Sequence, residues 1–288
     1  MLVRLKTFGE TLGATLVSLL RLILFRPLPL KLPKCAKSSL LVLGNGPSLL
    51  ESLNTVMDRP AFDVLACNWM IRTETFDLVK PEVYVLTAPE YFLKSASEKH
   101  LAMSFEFMDL IRSKVHWPML LVLPREAKTY MKRHHIQLPS YVTLCYFNNI
   151  PLEGFAAFES WGYRYNLGVP RPHNVLIPAL TLSINLGYQN IYLLGVENSM
   201  FKLLSVDENN VAYITDEHFY SGKEKVTRTM HNRGQGSRKL HEILEKFYLS
   251  FRGYFKIRGF ADRQGVNIYN TTPESYIDAF ERRKNIEP

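Results

Sequence analysis

The segment Leu40–Leu49, which reads LLVLGNGPSL, decides the fold of this 288-residue chain. Its apolar run ends at two glycines, and a proline and a serine then precede an apolar helical pattern. This order predicts a buried parallel strand, a tight turn and the start of a helix. Gly44 and Gly46 allow a close backbone approach that a side chain would block. The N–H groups of such a turn suit a phosphate or a sugar hydroxyl, and the alternative is a purely structural turn.

The composition of the chain predicts one large α/β domain with appendages. Hydrophobic residues make up 47% of the sequence and charged residues 22%, which is enough apolar surface to bury a full core. The three cysteines, Cys35, Cys67 and Cys145, show no metal-binding spacing. Their odd number, without a secretory leader, favours a reducing compartment, so we expect a cytoplasmic protein.

The positive charge of the chain is concentrated at its N-terminus. Residues 1–37 carry seven Lys or Arg and one Glu, so this segment holds +6 of the net charge of +8. The remaining residues carry only +2, and the body of the protein is therefore nearly balanced. This distribution argues against nucleic acid as a partner of the body.

The N-terminal segment also contains an apolar stretch, Leu12–Phe25, with Arg21 inside it. Its 14 residues are fewer than the ~20 that a spanning helix needs, and no small-residue cleavage site follows. An apolar stretch with basic flanks predicts a helix that lies in the interface of an anionic membrane, on the inner face of the cell membrane. The alternative is a helix packed on the domain or on a second subunit of a homo-oligomer.

We therefore divide the chain into two parts. Residues 1–37 form a membrane-association segment with a proline-rich connector, because prolines block helix continuation. Residues 38–288 form a Rossmann-like domain with a polar lid at about 199–237. Within this domain we predict an irregular region at 154–172 and helices over Asn174–Leu186 and Arg238–Phe251.

Further apolar runs in the body predict buried strands that alternate with helices. The predicted strands are Phe62–Asn68, Val83–Thr87, Met119–Pro124, Tyr141–Phe147, Ile191–Glu197 and Val266–Asn270. The alternation predicts a Rossmann-like α/β fold with a mostly parallel sheet and helices on both faces.

Polar residues stand at the ends of these strands, at Asn45, Asn68, Thr87, Glu197 and Asn270. Ligands of such folds bind in the crevice beyond the carboxyl ends of the strands. Together these residues predict a polar rim with few charges, suited to a nucleotide. The alternative for each is a helix cap or a turn residue.

The chemistry-bearing residue of the lid is His218, in the polar and aromatic segment Thr215–Tyr220. A histidine titrates near neutrality, so it can accept the proton of a sugar hydroxyl as that oxygen attacks. We expect Asp216 or Glu217 to orient the ring or to stabilise its charge. The basic stretch from Ser221 to Leu240 is suited to closing over phosphates. The alternatives are a surface histidine and a solvated loop.

Several common motifs are missing from the sequence. It contains no DxD pair, which would grip a nucleotide-bound divalent metal, and no P-loop, GxSxG or HExxH motif. We expect neither a metal site nor a bound cofactor, and a nucleotide sugar would be a substrate.

Four segments resemble bacterial sialyltransferases of glycosyltransferase family 42. Leu43–Leu49 and Phe62–Asn68 resemble the opening of these enzymes. Leu186–Glu197 is similar to their central helix–strand junction, with Glu197 where they carry Asp. Glu217–Tyr220 is similar to their Ser-His-Tyr segment.

The resemblance implies a Rossmann-like domain of the GT-A variant, a lid, a CMP-sugar donor and metal-independent transfer with inversion. It implies that His218 is the general base. It further implies that Asn45 and Asn68 contact the nucleotide and that Arg171 lies in the site. His173-Asn174 replaces a Ser/Thr pair that recognises the donor. Asn198-Ser199 and Tyr213 stand in for two tyrosines that activate the leaving phosphate.

The resulting hypothesis is a transferase that moves a sialic-acid-like sugar, nonulosonic or Kdo-type, from a CMP-linked donor to a glycan or glycolipid of lipopolysaccharide or capsule. The expected catalytic residues are His218, Asp216 and Tyr213. The expected donor-binding residues are Gly44, Asn45, Gly46, Pro47, Ser48, Asn68, Thr87, Arg171, His173, Asn174 and Glu197.

Two alternatives belong to other functional classes. A phosphotransferase of the pterin pyrophosphokinase-like kind has a similar glycine turn and would use ATP and magnesium. A non-catalytic protein would be a membrane-tethered scaffold on a Rossmann domain. Magnesium dependence and nucleotide binding separate the three.

Overall fold

The structure is a computed structural model that describes most of the chain. The described residues are 2–29, 31–35, 37–54, 60–216, 226–230 and 236–287. The helices are α1 Leu2–Phe25, α2 Leu49–Asn54, α3 Glu74–Val79, α4 Glu98–Lys114, α5 Glu126–Arg133, α6 Ala156–Arg164, α7 Leu176–Leu186 and α8 Leu240–Gln264. The strands are β1 Ser39–Leu43, β2 Phe62–Cys67, β3 Val83–Val85, β4 Met119–Pro124, β5 Val142–Phe147, β6 Asn190–Leu194, β7 Leu204–Val206, β8 Ala212–Asp216, β9 Val226–Thr229, β10 Asn267–Asn270 and β11 Glu281–Arg282.

A single large sheet organises the described part of the chain. Eight strands lie in the order β11-β10-β6-β1-β2-β3-β4-β5, and every neighbouring pair is parallel. The prediction of a Rossmann-like parallel sheet is therefore confirmed. All six strands predicted after β1 exist, with boundaries that differ by at most three residues at either end.

The sheet is buried on both faces because its central strands are apolar throughout. In β1, Leu40 and Val42 pack in a core with residues of α6, α7 and α8. Leu41 and Leu43 point to the opposite face and pack in a second core with residues of α2, α3, α4 and α5. Successive side chains of a strand alternate between faces, so a continuous apolar run serves two cores.

The chain reverses its direction across the sheet at β1. It proceeds outward from β1 through β2, β3 and β4 to the edge strand β5, and then returns to place β6 on the other side of β1. The crossover helices change face at the same point. In parallel sheets this reversal opens a crevice at the carboxyl ends of the two central strands, where ligands bind.

Three regions of the body differ from the sequence prediction, and one of them is α8, which ends at Gln264 rather than at the predicted Phe251. The segment 154–172, predicted to be irregular, contains the helix α6. The predicted polar lid contains a three-stranded antiparallel sheet in the order β7-β8-β9. The parts of this lid at 217–225 and 231–235 lie outside the described residues.

The N-terminal helix α1 is longer than its apolar stretch predicts. Residues Leu5–Phe25 have a mean hydropathy of 1.5 over 21 residues, which is long and apolar enough to cross a membrane, and 6% of the stretch is buried. The sequence argument that the stretch is too short to span is therefore wrong, because the helix begins well before Leu12.

Helix α1 packs on the body through its polar residues. The Ser18 hydroxyl, fully buried, donates to the Glu153 carbonyl at 2.8 Å and accepts from the Glu153 N–H at 2.9 Å. The Phe155 N–H donates to Thr15 Oγ1 at 3.0 Å, and Arg21 donates to the Pro151 carbonyl at 3.2 Å. Most of its apolar residues point away from the body, although Leu22 packs against the core and Phe8 contacts Phe155. The exposed ones include Leu12, Leu16, Leu20, Ile23 and Leu24. This arrangement is the reverse of an ordinary amphipathic helix on a domain.

Candidate functional site

A cavity of about 420 Å³ lies at the carboxyl ends of β1 and β6, where the chain reverses across the sheet. The turn after β1 forms one wall and the turn after β6, Gly195–Ser199, forms the next. The start of α7 and the middle of α8 close the opposite side. Ile214 of β8 and Arg228 of β9 contribute from the small sheet. Elements from both faces of the large sheet and from the small sheet therefore converge on one site of a size typical of small-molecule ligands.

Glu197 and Gly46 lie in direct contact at the floor of this cavity. A Cβ atom at Gly46 would stand 1.5 Å from Glu197 Oε2, so the carboxylate occupies the space that glycine leaves. Glu197 Oε1 accepts a hydrogen bond of 2.7 Å from the Ser48 N–H. Gly44 is required for a similar reason, because its Cβ would lie 2.1 Å from the Gly195 carbonyl oxygen. At both glycines of the sequence motif, neighbouring atoms therefore approach the backbone too closely to leave space for a side chain.

The N–H groups of the glycine turn are largely engaged. Gly44 N–H donates to the Leu194 carbonyl at 2.7 Å, and Gly46 N–H donates to the Gly195 carbonyl at 2.9 Å. The Ser48 N–H is held by Glu197, as described above. These three N–H groups therefore already have acceptors within the protein, and α2, with six residues, is too short to add a useful helix dipole.

Four buried polar atoms around the cavity have no hydrogen-bond partner within the described part of the chain. They are Asn45 Oδ1, His173 Nε2, Glu197 Oε2 and Asn198 Nδ2. Burying one such group unpaired costs about 1–3 kcal/mol, so native structures rarely keep several in one place. Their clustering in one cavity indicates a polar ligand with both hydrogen-bond donors and acceptors.

Asn68 and Asn198 line the same cavity with left-handed backbones. Their φ angles are 56° and 52°, a conformation that asparagine tolerates better than most residues. The Asn68 backbone is fixed on both sides, because its N–H donates to the Val85 carbonyl at 3.2 Å and its carbonyl accepts from the Tyr84 hydroxyl at 2.7 Å. Non-glycine residues held in this region cluster at functional sites.

His173 is a neutral imidazole in the cavity wall. Burial lowers its pKa to about 4, and the positive charges of Arg171 and Lys246 act in the same direction while Glu153 opposes them. At neutral pH the ring therefore offers one N–H donor and one acceptor nitrogen. This suits recognition of a polar ligand group better than attraction of a phosphate by charge.

Asn174 lines the cavity, but its polar atoms are already used. Its amide nitrogen donates to Ser250 Oγ and to the Tyr254 hydroxyl, both at 2.7 Å, and its oxygen accepts from the Ile177 N–H at 3.2 Å. The residue joins the start of α7 to α8. These bonds give Asn174 a structural role, and its role in donor binding stays a prediction.

Several other predicted site residues lie away from the cavity lining. Arg171 forms an ion pair with Glu153 at 2.8 Å, and the Tyr213 hydroxyl bonds Asp207 Oδ2 at 3.2 Å. Thr87 does not line the cavity, and Ser48 contributes its N–H to Glu197. Asn270 is buried and its amide bonds Ser275 Oγ and the Ile277 carbonyl, each at 3.0 Å, so it is a turn residue.

Tyr213, one of the three predicted catalytic residues, does not line the cavity. His218 lies outside the described residues, as does the rest of Glu217–Tyr220. Asp216 is the last residue of β8, and Ile214 of the same strand lines the cavity. The structure brings eight predicted site residues together at the cavity, and these are Gly44, Asn45, Gly46, Pro47, Asn68, His173, Asn174 and Glu197.

The wall contributed by α8 was not predicted from the sequence. Lys246, Phe247 and Ser250 of this helix line the cavity. A signal was present, because Ile243, Lys246 and Ser250 follow the three- and four-residue spacing of a buried helix face. A lysine on such a stripe marks a cation that faces inward.

The described residues around the cavity provide neither a cluster of metal ligands nor a reactive thiol. These residues contain no group of three or more His, Cys, Asp or Glu side chains that could hold a metal ion. Cys67 lies at the cavity floor, and complete burial raises the pKa of its thiol to about 12. It is therefore not a nucleophile at neutral pH.

Comparison with known proteins gives distant structural similarity. No protein-family model matches the chain, and no curated protein sequence matches it. The sialyltransferase CstII from Campylobacter jejuni, in complex with the substrate analogue cytidine-5'-monophosphate, is 13% identical with a TM-score of 0.41, over 85% of this chain and 84% of that one. The monofunctional alpha-2,3-sialyltransferase Cst-I from the same organism is 14% identical with a TM-score of 0.39, over 87% of this chain and 82% of that one.

The pKa of His173 predicts how stability depends on pH. As pH falls from 7 towards 4, the unfolded chain protonates this residue while the native state does not, so the free energy of unfolding decreases in that window. Urea denaturation should show this decrease, and the His173→Gln variant should show a smaller one. A ring resonance of His173 that titrates near 6.5 in NMR spectra of the folded protein would contradict the assignment.

Proposed function

We propose that this chain is a glycosyltransferase that transfers a sialic-acid-like sugar, nonulosonic or Kdo-type, from a CMP-linked donor to a glycan or glycolipid hydroxyl. The observation that carries the proposal is the cavity at the reversal point of the parallel sheet. Buried polar atoms of Asn45, His173, Glu197 and Asn198 meet there without partners among the described residues, in the crevice where such folds bind nucleotides. The sequence resemblance to family 42 sialyltransferases falls on the same turn and strand ends.

The lining of the cavity is chemically matched to a nucleoside phosphate. The amide groups of Asn45 and Asn198 offer an acceptor and donors for the edge of a base. The free Glu197 oxygen is an acceptor for ribose hydroxyls or a base amino group. Apolar residues such as Val42 and Phe247 provide surface against which a base can pack.

In the proposed reaction, His218 removes the proton of the acceptor hydroxyl. The acceptor oxygen attacks the anomeric carbon, and the bond from that carbon to the phosphate oxygen breaks with its electron pair leaving on CMP. His218 follows β8 by two residues, and both β8 and β9 contribute residues to the cavity wall. This placement supports a base delivered from the connection between these strands. Charge on the departing phosphate must be stabilised by groups fixed in the site.

The membrane part of the proposal rests on α1. Its polar residues Thr15, Ser18 and Arg21, the polar seam, pack on the body. Most of its apolar residues face outward, so we propose that the helix lies in the surface of an anionic membrane. Basic residues near its ends, such as Lys6, Arg26 and Lys31, would meet anionic headgroups. A glycolipid acceptor would then be presented at the same surface, and the location would be the inner face of the cell membrane.

A ligand panel tests the nucleotide site. Isothermal titration with CMP, CDP, UDP, GDP and ATP, with and without magnesium, should show CMP binding without magnesium. Asn45→Ala should weaken CMP binding by about tenfold, because a hydrogen bond contributes about 1 kcal/mol or more when its partner stays buried. The exposed Asn54→Ala at the end of α2 is the matched control and should bind CMP like the wild type.

The outcomes of this panel separate the three functional classes. Binding of ATP only with magnesium would support the pterin pyrophosphokinase-like phosphotransferase instead. Absence of binding by every nucleotide would favour the membrane-tethered scaffold and would contradict the transferase.

Substitution of the base tests the chemistry. With a CMP-sugar as donor and a glycan hydroxyl as acceptor, His218→Ala should lower the turnover number by about 10²–10⁴-fold, the usual contribution of general-base catalysis. Its affinity for CMP should remain that of the wild type. His241→Ala, an exposed histidine of α8, is the control. Near-normal turnover by His218→Ala would show that another group accepts the proton.

Substitution of exposed residues of α1 tests membrane binding. The triple variant Leu16→Ser, Leu20→Ser and Ile23→Ser keeps the polar seam and removes apolar surface. It should lower the partition coefficient onto anionic vesicles by at least about a hundredfold, since each buried side chain contributes about 1.5–3 kcal/mol. A matched triple variant at Leu50, Leu78 and Leu244, which are exposed on the body, should bind like the wild type.

Co-sedimentation with vesicles measures this partition. Equal binding by the two triple variants would contradict a membrane role for α1. A wild-type dimer in detergent-free solution that the α1 triple variant converts to a monomer would assign the apolar face to a homo-oligomer instead.

A further inference from the structure

The cavity contains a cation that its protein surroundings do not neutralise. Lys246 of α8 is half-buried and lines the cavity. Within the described part of the chain its ammonium group forms no hydrogen bond or ion pair. Burial lowers the pKa of Lys246, and the charges of Arg238 and Arg228 lower it further, while Glu90 acts in the opposite direction. A lysine in this environment destabilises the free protein unless an anion compensates its charge.

Three N–H groups of the glycine turn, which face a phosphate in many nucleotide-binding folds, already have acceptors within the protein. The N–H groups of Gly44, Gly46 and Ser48 donate to protein oxygens at 2.7–2.9 Å. The ring of His173 is neutral, and Arg171 is paired with Glu153. Among the described residues that line the cavity, Lys246 and Arg228 are the ones with a cationic side chain.

We propose that Lys246 binds the phosphate of the nucleotide ligand, with Arg228 of β9 on the same side of the cavity. This inference rests on the proposed function, because it takes the cavity to be a nucleotide site. It assigns the phosphate to the α8 wall, across from the glycine turn, and leaves the Asn45, Glu197 and Asn198 side for the base and ribose.

This placement accounts for the chemistry of the leaving group. As the bond between sugar and phosphate breaks, negative charge grows on the phosphate oxygens, and a nearby ammonium group stabilises that charge. Lys246 is carried by a 25-residue helix, so its position is set by a rigid element. Arg228, in contrast, lies on the small sheet at the end of the lid segment and can respond to ligand entry.

The Lys246→Met variant tests the inference by separating phosphate from nucleoside. Titration calorimetry would compare CMP with cytidine for the wild type and the variant. The variant should bind CMP on the order of 10- to 100-fold more weakly, as expected for the loss of a hydrogen bond from a charged group. Its affinity for cytidine should not change, so its preference for CMP over cytidine should largely disappear.

Thermal unfolding provides an independent readout. Because Lys246 carries a desolvated charge among other cations, the ligand-free Lys246→Met variant should unfold at a temperature equal to or above that of the wild type. Arg252→Met, an exposed cation of the same helix that does not line the cavity, is the control with the same change in net charge. It should bind CMP and cytidine like the wild type.

The outcomes distinguish this inference from the function on which it rests. If Lys246→Met lowers the affinities for CMP and cytidine equally, or lowers neither, Lys246 does not bind the phosphate while the nucleotide site stands. If UDP or ATP binds the wild type instead of CMP, the same comparison with uridine or adenosine decides the role of Lys246. If the wild type binds no nucleotide, the proposed function and this inference both fall.

Discussion

The contact between Glu197 and Gly46 is the constraint on which the site depends. It joins the turn after β1 to the turn after β6, at the one place where the direction of the chain across the sheet reverses. A side chain at position 46 would displace the carboxylate, and loss of the carboxylate would leave the Ser48 N–H unpaired. With both in place, one carboxylate oxygen fixes the turn and the other remains buried and free in the cavity. Positioning and recognition are thus divided between two atoms of one side chain.

The same region of the structure engages N–H groups of the glycine turn that could otherwise face a phosphate. In many nucleotide-binding folds the N–H groups of such a turn face the phosphate. In this chain, carbonyl oxygens from the end of β6 and the Glu197 carboxylate accept these hydrogen bonds. A carboxylate at this point also repels an anion. The positive charge of the site therefore lies on the opposite wall, at α8 and β9.

The large sheet could be predicted from the sequence because its strands are buried on both faces. Met119–Pro124, for example, is a continuous apolar run and appears with the same boundaries as β4. The rule that ligands bind at carboxyl strand ends also located Asn45, Asn68 and Glu197 in one cavity. The position of a residue at such an end follows from the strand that precedes it, so it can be predicted without knowledge of contacts distant in sequence.

Other features depend on tertiary contacts that a single sequence does not display. Helix α6 contains aromatic residues and Gly162, which favour helices weakly, and it is supported by an ion pair between Lys256 and Glu159. Arg171 forms an ion pair with Glu153, and the backbone of Glu153 also bonds Ser18 of α1. The outward-facing apolar side of α1 follows from its polar seam with residues 151–155. The position of His218 remains a prediction from the resemblance.

The most direct test of the account is a crystal structure of the protein with CMP bound. The account predicts electron density for the nucleotide between the Glu197–Gly46 contact and α8, with polar atoms of Asn45, Asn198 or His173 in hydrogen-bond range. Nucleotide bound elsewhere, or a cavity filled by side chains of the protein when CMP is present at saturating concentration, would contradict it.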